Sequence, residues 1–333
     1  METKRLDDIS ILRVLCIITV VFFHCYGMMY AESHFPETVL VYESLYFILN
    51  QCVFINIAMP MFIFVSGYLF QYLLMKGKYH TWSDLLKKKG LRILLPYFVF
   101  GLLFMLTTNN WHPFRLLLGN YWHLWFLPML FWCFLLGYGL YKISLGLCVE
   151  CFLLIIAYCG FFSPLSFPRW MGMNFITSNF YWFYLGMFMY KYRERLFEGF
   201  RKPILCILLL SLSFFIICCF PVAYGEIRWY GNLAVTCSLI SISALMSKVD
   251  WGKYKITTSI TKFSAYSFGI YIWHNWVALM LISNTSKRLF GLQELAANHV
   301  ILFPLCFSLI TLAISWFLSW CMMKTKVGRF LIG

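Results

Sequence analysis

The amino-acid sequence predicts an all-α fold: a polytopic integral membrane helical bundle of about 10 transmembrane helices with both termini cytoplasmic. Three observations carry this. Of 333 residues, 62% are hydrophobic and only 12% are charged, where a soluble domain is about 25% charged. The apolar residues lie in long continuous runs, not in the short alternating segments of a β-barrel. The basic residues, finally, fall in alternate connecting segments. The mean hydropathy of +0.76 excludes an ordinary water-soluble enzyme and a disordered chain alike.

The runs can be taken in order, at roughly 9–30, 45–75, 91–108, 121–141, 143–162, 174–191, 203–222, 229–247, 264–284 and 299–323. Most are long enough to cross about 30 Å of hydrocarbon at 1.5 Å per residue. Lys4 and Arg5 precede the first run as they would in a signal peptide. That run is too long for a signal core and shows no small-x-small cleavage site, so it reads as a retained helix. Lys76, Lys78, Lys87, Lys88, Lys89 and Arg92 separate the second run from the third. Lys142 follows the fourth, five cations follow the sixth, four follow the eighth and three end the chain. With the N-terminus inside, 21 Lys and Arg are cytoplasmic and five are not, with Arg13 inside the first run. This asymmetry sets the orientation. It also explains the net charge of +14 without nucleic acid, because no single surface gathers the cations. Trp111, Tyr121, Trp122, Trp125, Trp170, Tyr181, Trp182 and Trp229 lie near run ends, where amphipathic rings suit a membrane interface. No repeat or linker is evident, so residues 1–333 read as one membrane domain without a soluble appendage.

The 13 cysteines lie mostly within the apolar runs, Cys148-x-x-Cys151 and Cys218-Cys219 included. Their odd number and position predict free buried thiols, not a disulfide framework. No His-x3-His or Glu-x2-His pair occurs within a run, so no metal site is expected.

Ionisable groups inside a membrane are costly and mark function. Arg13 and His24 are eleven residues apart in the first run. On a helix they are about 20° apart in azimuth and about 16 Å apart along the axis. They form a polar seam, with a cation near the cytoplasmic entrance and an imidazole at depth. A snorkelling Arg with a packing His is the bland alternative.

Six segments in order then bear a resemblance to the acyltransferase 3 family of polytopic O-acyltransferases. The first is Arg13-x10-His24. Met59-Pro-Met-Phe-Ile-Phe-Val-Ser66-Gly67-Tyr68-Leu69 resembles the family's P-x-F-F-x-x-S-G-Y segment. Lys88-Lys89-Gly90-Leu91-Arg92-Ile93-Leu94-Leu95-Pro96-Tyr97 resembles R-x-x-R-I-x-x-P-Y, with lysine for arginine at position 89. Tyr121-Trp122-His123-Leu124-Trp125-Phe126-Leu127, Phe183-Tyr184-Leu185-Gly186 and Phe268-Gly269-Ile270-Tyr271-Ile272-Trp273-His274 resemble H-L-W-F-L, F-x-L-G and I-Y-x-x-H.

The resemblance implies transfer of an acyl group, usually acetyl, from cytoplasmic acyl-CoA to a hydroxyl of a glycan or lipid-linked glycan. It implies no permanently bound cofactor, a bacterial cytoplasmic (inner) membrane and a transferase that works without an appended hydrolase-like domain. His24 matches the catalytic position, as general base or acyl-carrying imidazole. Arg13 is too far from His24 to serve the oxyanion and is assigned to acyl-CoA or its entrance. Lys88, Lys89 and Arg92 suit the phosphates of CoA. Ser66, Gly67, Trp122, His123, Tyr271 and His274 are expected to line a cavity or meet the acceptor, helix packing and an aromatic belt being the alternatives for several. Two other readings are a non-catalytic transporter or flippase for a polar lipid or glycan, and a scaffold subunit. The basic cluster joined to a His on the Arg13 face favours the acyl-CoA reading. Oligomeric state, acyl chain and acceptor stay open.

Overall fold

A computed structural model of the chain describes residues 7–31, 55–109, 111–160, 167–199, 203–219, 229–282, 291, 295, 298–299 and 302–333. Lys4, Arg5, His34, Cys52, Arg201, Lys202, Arg228, Lys287 and Arg288 lie outside the described residues. Among those described, the structure is helical with no strand. Each of the ten apolar runs contains a helix. Among the described residues, five helical segments are long and apolar enough to cross a membrane: Asp7–Met28, Ala58–Met75, Trp82–Thr108, Pro113–Ile143 and Leu302–Met323.

The chain forms two compact units: Met1–Phe62 with Phe197–Thr325 and Gly333, and Ile63–Leu196 with Lys326–Ile332. In the first, α1 (Asp7–Ala31) begins with Asp7 and Asp8, acidic groups that favour the positive end of a helix. Ile9, Leu12, Cys16, Ile17, Val20, Val21 and Cys25 are its buried stripe. Around it are α12 (Lys255–Ser264), α13 (Ser267–Leu281) and α14 (Leu302–Met323), while α10 (Pro203–Cys219) pairs with α11 (Trp229–Lys248). The buried face of α14 carries Ser308, Thr311, Ser315 and Ser319. The serine hydroxyls of Ser308, Ser315 and Ser319 return to carbonyls one turn back, at 2.7 Å each, so these three small polar residues line the contact with their hydroxyls satisfied.

The second unit takes up the C-terminal part of α2 (Ile55–Met75), then α3 (Trp82–Lys89), α4 (Leu95–Thr108), α5 (Pro113–Leu118), α6 (Phe126–Ile143), α7 (Leu147–Cys159), α8 (Phe180–Lys191), α9 (Arg193–Gly199) and α15 (Lys326–Ile332). Helix α8 is only 12 residues long, and every residue from Tyr181 to Tyr190 is buried. It crosses α2 at two glycines. A Cβ on Gly67 would strike the Phe183 carbonyl, and one on Gly186 would strike the Phe64 carbonyl and come within 2.8 Å of the Tyr68 nitrogen. Two of the six motif segments therefore meet backbone to backbone. Glu150 of α7, itself buried, pairs with Lys191 of α8 at 2.6 Å.

A π-helical turn, Gly90–Leu94, joins α3 to α4 where the sequence suggests only a span start. Pro96 has no N–H to give the carbonyl of Arg92 four residues back, and its ring crowds that carbonyl, so the turn widens. Cys16, Cys25, Cys133, Cys148, Cys151, Cys159, Cys206, Cys237, Cys306 and Cys321 are free thiols. Cys148, Cys151, Cys159 and Cys306 are exposed and not buried as expected, because they lie on the outer faces of α7 and α14, which a bilayer can cover.

Candidate active site

The first unit brings together two candidate residues that are far apart in sequence. The rings of His24, on α1, and His274, on α13, are in contact, with centroids 5.0 Å apart and planes at 50°. Phe23 meets His24 edge-on at 4.9 Å, and Tyr271 lies 5.8 Å from His274. Phe62 is 6.0 Å from Tyr271. Tyr271 and His274 are buried and His24 half-buried. The i,i+3 spacing of Tyr271 and His274 puts both rings on one side of α13.

The tautomer of His274 follows from its neighbours. Its Nδ1 lies 2.6 Å from the Tyr271 carbonyl and 3.2 Å from the Ile270 carbonyl. Carbonyls only accept, so Nδ1 carries the proton and donates. In the neutral ring the lone pair is then on Nε2. Arg13 is half-buried on α1, three turns toward its N-terminal end. Around that end the polar groups continue, with Thr261 of α12 donating to Asp7 at 3.4 Å.

The other candidates belong to the second unit. Lys88 is exposed and already pairs with Asp84 at 2.8 Å and donates to the Lys78 carbonyl at 3.1 Å. The Lys89 ammonium sits in a cage of rings, 3.3 Å from the centroid of Phe134, 5.3 Å from Phe70 and 5.5 Å from Tyr79. It clamps the start of the π turn onto α2 and α6. A desolvated cation–π contact is worth about 2 kcal/mol. Lys89→Ala is therefore expected to lower thermal stability in detergent by about that amount, and an unchanged unfolding midpoint would show that the rings do not hold the ammonium. Arg92 stands on the π turn and is exposed. Such turns recur at functional sites.

Ser66 is half-buried, and its neighbour Gly67 is accounted for by the crossing with α8. His123 is buried, 6.2 Å from Phe104, which leaves Trp122 as the more accessible of that pair. Trp122 stacks on Tyr121 at 5.2 Å and has a left-handed backbone, φ 43°. A non-glycine residue held there costs about 1–3 kcal/mol, which the surrounding aromatic packing must sustain. Among the described residues no group of three or more His, Cys, Asp or Glu side chains is arranged to hold a metal.

Among the described residues the chain is all-helical, with five helices long and apolar enough to cross a bilayer and a pair of imidazoles in contact between two of its helices. The family follows from comparison with known proteins. The acyltransferase domain model of the acyltransferase 3 family matches residues 6–320, and the chain belongs to that family. Membership makes it a membrane acyltransferase. No curated protein and no solved structure matched the chain.

The sequence pointed to His24 and His274 separately but gave no sign of their contact. The only available signal was that each sits in its own motif. Nor was the ring cage of Lys89 foreseen, since Phe70, Tyr79 and Phe134 come from three separate segments.

Proposed function

We propose that the protein moves an acyl group, acetyl before longer chains, from cytoplasmic acyl-CoA to a hydroxyl of an envelope glycan or its lipid-linked precursor. The reading places the chain in a bacterial inner membrane, with about 10 spans and both termini cytoplasmic. The observation that carries it is the contact of His24 with a second imidazole whose tautomer is set by backbone carbonyls.

A glycan hydroxyl is a weak nucleophile. His24, neutral, takes its proton as the oxygen attacks the thioester carbon. The C–S bond then breaks, and the CoA thiolate recovers the proton from the imidazolium. The same ring can instead carry the acyl group as an acyl-imidazole between donor and acceptor. Arg13 organises the entrance for the donor and takes no part in the oxyanion, being about 16 Å along the helix from His24. Of the three other cations, Arg92 is exposed and lacks the ion pair of Lys88 and the ring cage of Lys89. Its planar fork suits a phosphate of CoA.

Arg92→Ala is expected to raise the KM for acetyl-CoA about tenfold, the loss of one charge-assisted hydrogen bond, with kcat near that of the wild type. A KM unchanged within twofold in steady-state assays would remove Arg92 from the donor site. Acetyl-CoA binding to the purified protein in detergent, read by calorimetry, tests the donor class itself.

A further inference from the structure

We infer that the second unit holds a lipid site: one hydrocarbon chain of an anionic phospholipid lies in a groove between α6 and α7, with its phosphate at Lys142. The groove has a volume of about 440 Å³. Small-molecule pockets run from roughly 300 to 1,000 Å³. Leu136, Leu140 and Ile143 line it from α6, and Leu153, Ile156 and Ala157 line it from α7. The three α6 residues recur at i, i+4 and i+7, so one face of that helix borders the groove over about 10 Å. Leu136, Ile143 and Ile156 are exposed although they line it, which leaves the groove open along its side. Helix α6 belongs to the apolar segment Pro113–Ile143, so that open side meets hydrocarbon once a bilayer surrounds the segment.

No charged side chain lines the groove, and its only polar side-chain atoms belong to Trp82 and Tyr184. Tyr184 also borders a second cavity, of about 20 Å³, with Glu150 and Lys191. Those two charges are paired at 2.6 Å and are spent on each other. A polar ligand would therefore give up its hydration in the groove for little return. A methylene chain has no such cost, and it supplies the packing contacts that an empty groove lacks. The end at Ile143 is different. Trp82 is exposed and meets Tyr138 edge-on at 4.7 Å, and Tyr141 is exposed as well. Rings of this kind, apolar with one polar tip, suit the head-group level of a membrane. Lys142 is exposed and makes only a long contact, 3.4 Å, with the His80 carbonyl. Unlike Lys88 and Lys191, it has no ion pair among the described residues. Its ammonium can donate to a phosphate oxygen, and its charge favours a head group with net negative charge.

The test is native mass spectrometry of the full-length protein in detergent, titrated with phosphatidylglycerol or with phosphatidylcholine. The wild type is expected to bind one phospholipid more tightly than any further one. It should prefer phosphatidylglycerol about fivefold, the effect of a single lysine beside an anionic head group. Lys142→Gln keeps the groove and should bind the two lipids alike. Ala157→Phe puts a ring into the groove and is expected to abolish the first binding event. Equal binding by the wild type and Ala157→Phe overturns the inference, because the lipid then sits elsewhere. So does a wild type that takes up neither lipid or both equally, and so does a preference that survives in Lys142→Gln. If Ala157→Phe does not fold, Ala157→Leu, which fills less of the groove, replaces it and is expected to weaken binding at least tenfold, the cost of displacing about two methylenes' worth of contact; unchanged binding in that variant overturns the inference in the same way.

Discussion

Replacing His24 with alanine is expected to abolish transfer while leaving insertion and folding intact. General base catalysis contributes roughly 10²–10⁴-fold, so residual turnover should fall to near background. The protein should still fold because His24 is only half-buried and adjoins the buried stripe of α1 without being one of its core residues. The vacated space faces Phe23 and His274. Membrane yield and thermal midpoint near wild type, with turnover lost, is the expected pair of results. Turnover within threefold of wild type would show that the proton leaves by another group.

The second large effect concerns stability. Gly67→Ala and Gly186→Ala are each expected to destabilise the protein by about 3 kcal/mol, the upper part of the usual range for overpacking. Each added Cβ meets backbone of the opposing helix, Phe183 for one and Phe64 with Tyr68 for the other. Backbone inside a helix cannot turn away as a flexible side chain can, so the helices must separate, and α8 is buried on all sides. The two changes act on one crossing and should not add in the double variant. Gly90→Ala is the control: its Cβ would meet nothing within 4 Å and its φ is −58°, so the change should be neutral or slightly stabilising. Heating followed by size-exclusion chromatography in detergent ranks the three. A Gly67→Ala protein as heat-resistant as Gly90→Ala would mean the crossing is looser than described.

The helices were legible in the sequence because burial in a bilayer is written directly as apolar runs. Runs 229–247 and 299–323 differ from α11 (Trp229–Lys248) and α14 (Leu302–Met323) by a few residues at most. What escaped was of other kinds. The π turn depends on what Pro96 does to a carbonyl four residues earlier, not on hydrophobicity. Helix α8 has the composition of a span but only 12 residues, and its depth in the second unit comes from its neighbours. The thiols of Cys148 and Cys151 were misplaced because an apolar run does not say which of its faces meets protein and which meets lipid. The candidate site was half legible. Arg13 and His24 stood out because charge and imidazole are rare in such a run, and helical spacing put them on one side. His274 lies 250 positions further on, and only the packing of α1 against α13 joins the two rings. Lys88, Lys89 and Arg92 looked equivalent as a basic cluster. Their surroundings separate them into an ion pair, a ring cage and an exposed guanidinium.

The central claim is that His24 drives acyl transfer from CoA. The most direct measurement follows thiol release from acetyl-CoA and succinyl-CoA by the purified protein in detergent, beside His24→Ala, with acetyl-CoA binding read on the same samples. The account predicts slow release by the wild type, faster with acetyl-CoA, that vanishes in the variant while binding persists. A wild type that shows no release and no binding would contradict it and favour a transporter of polar lipids or glycans.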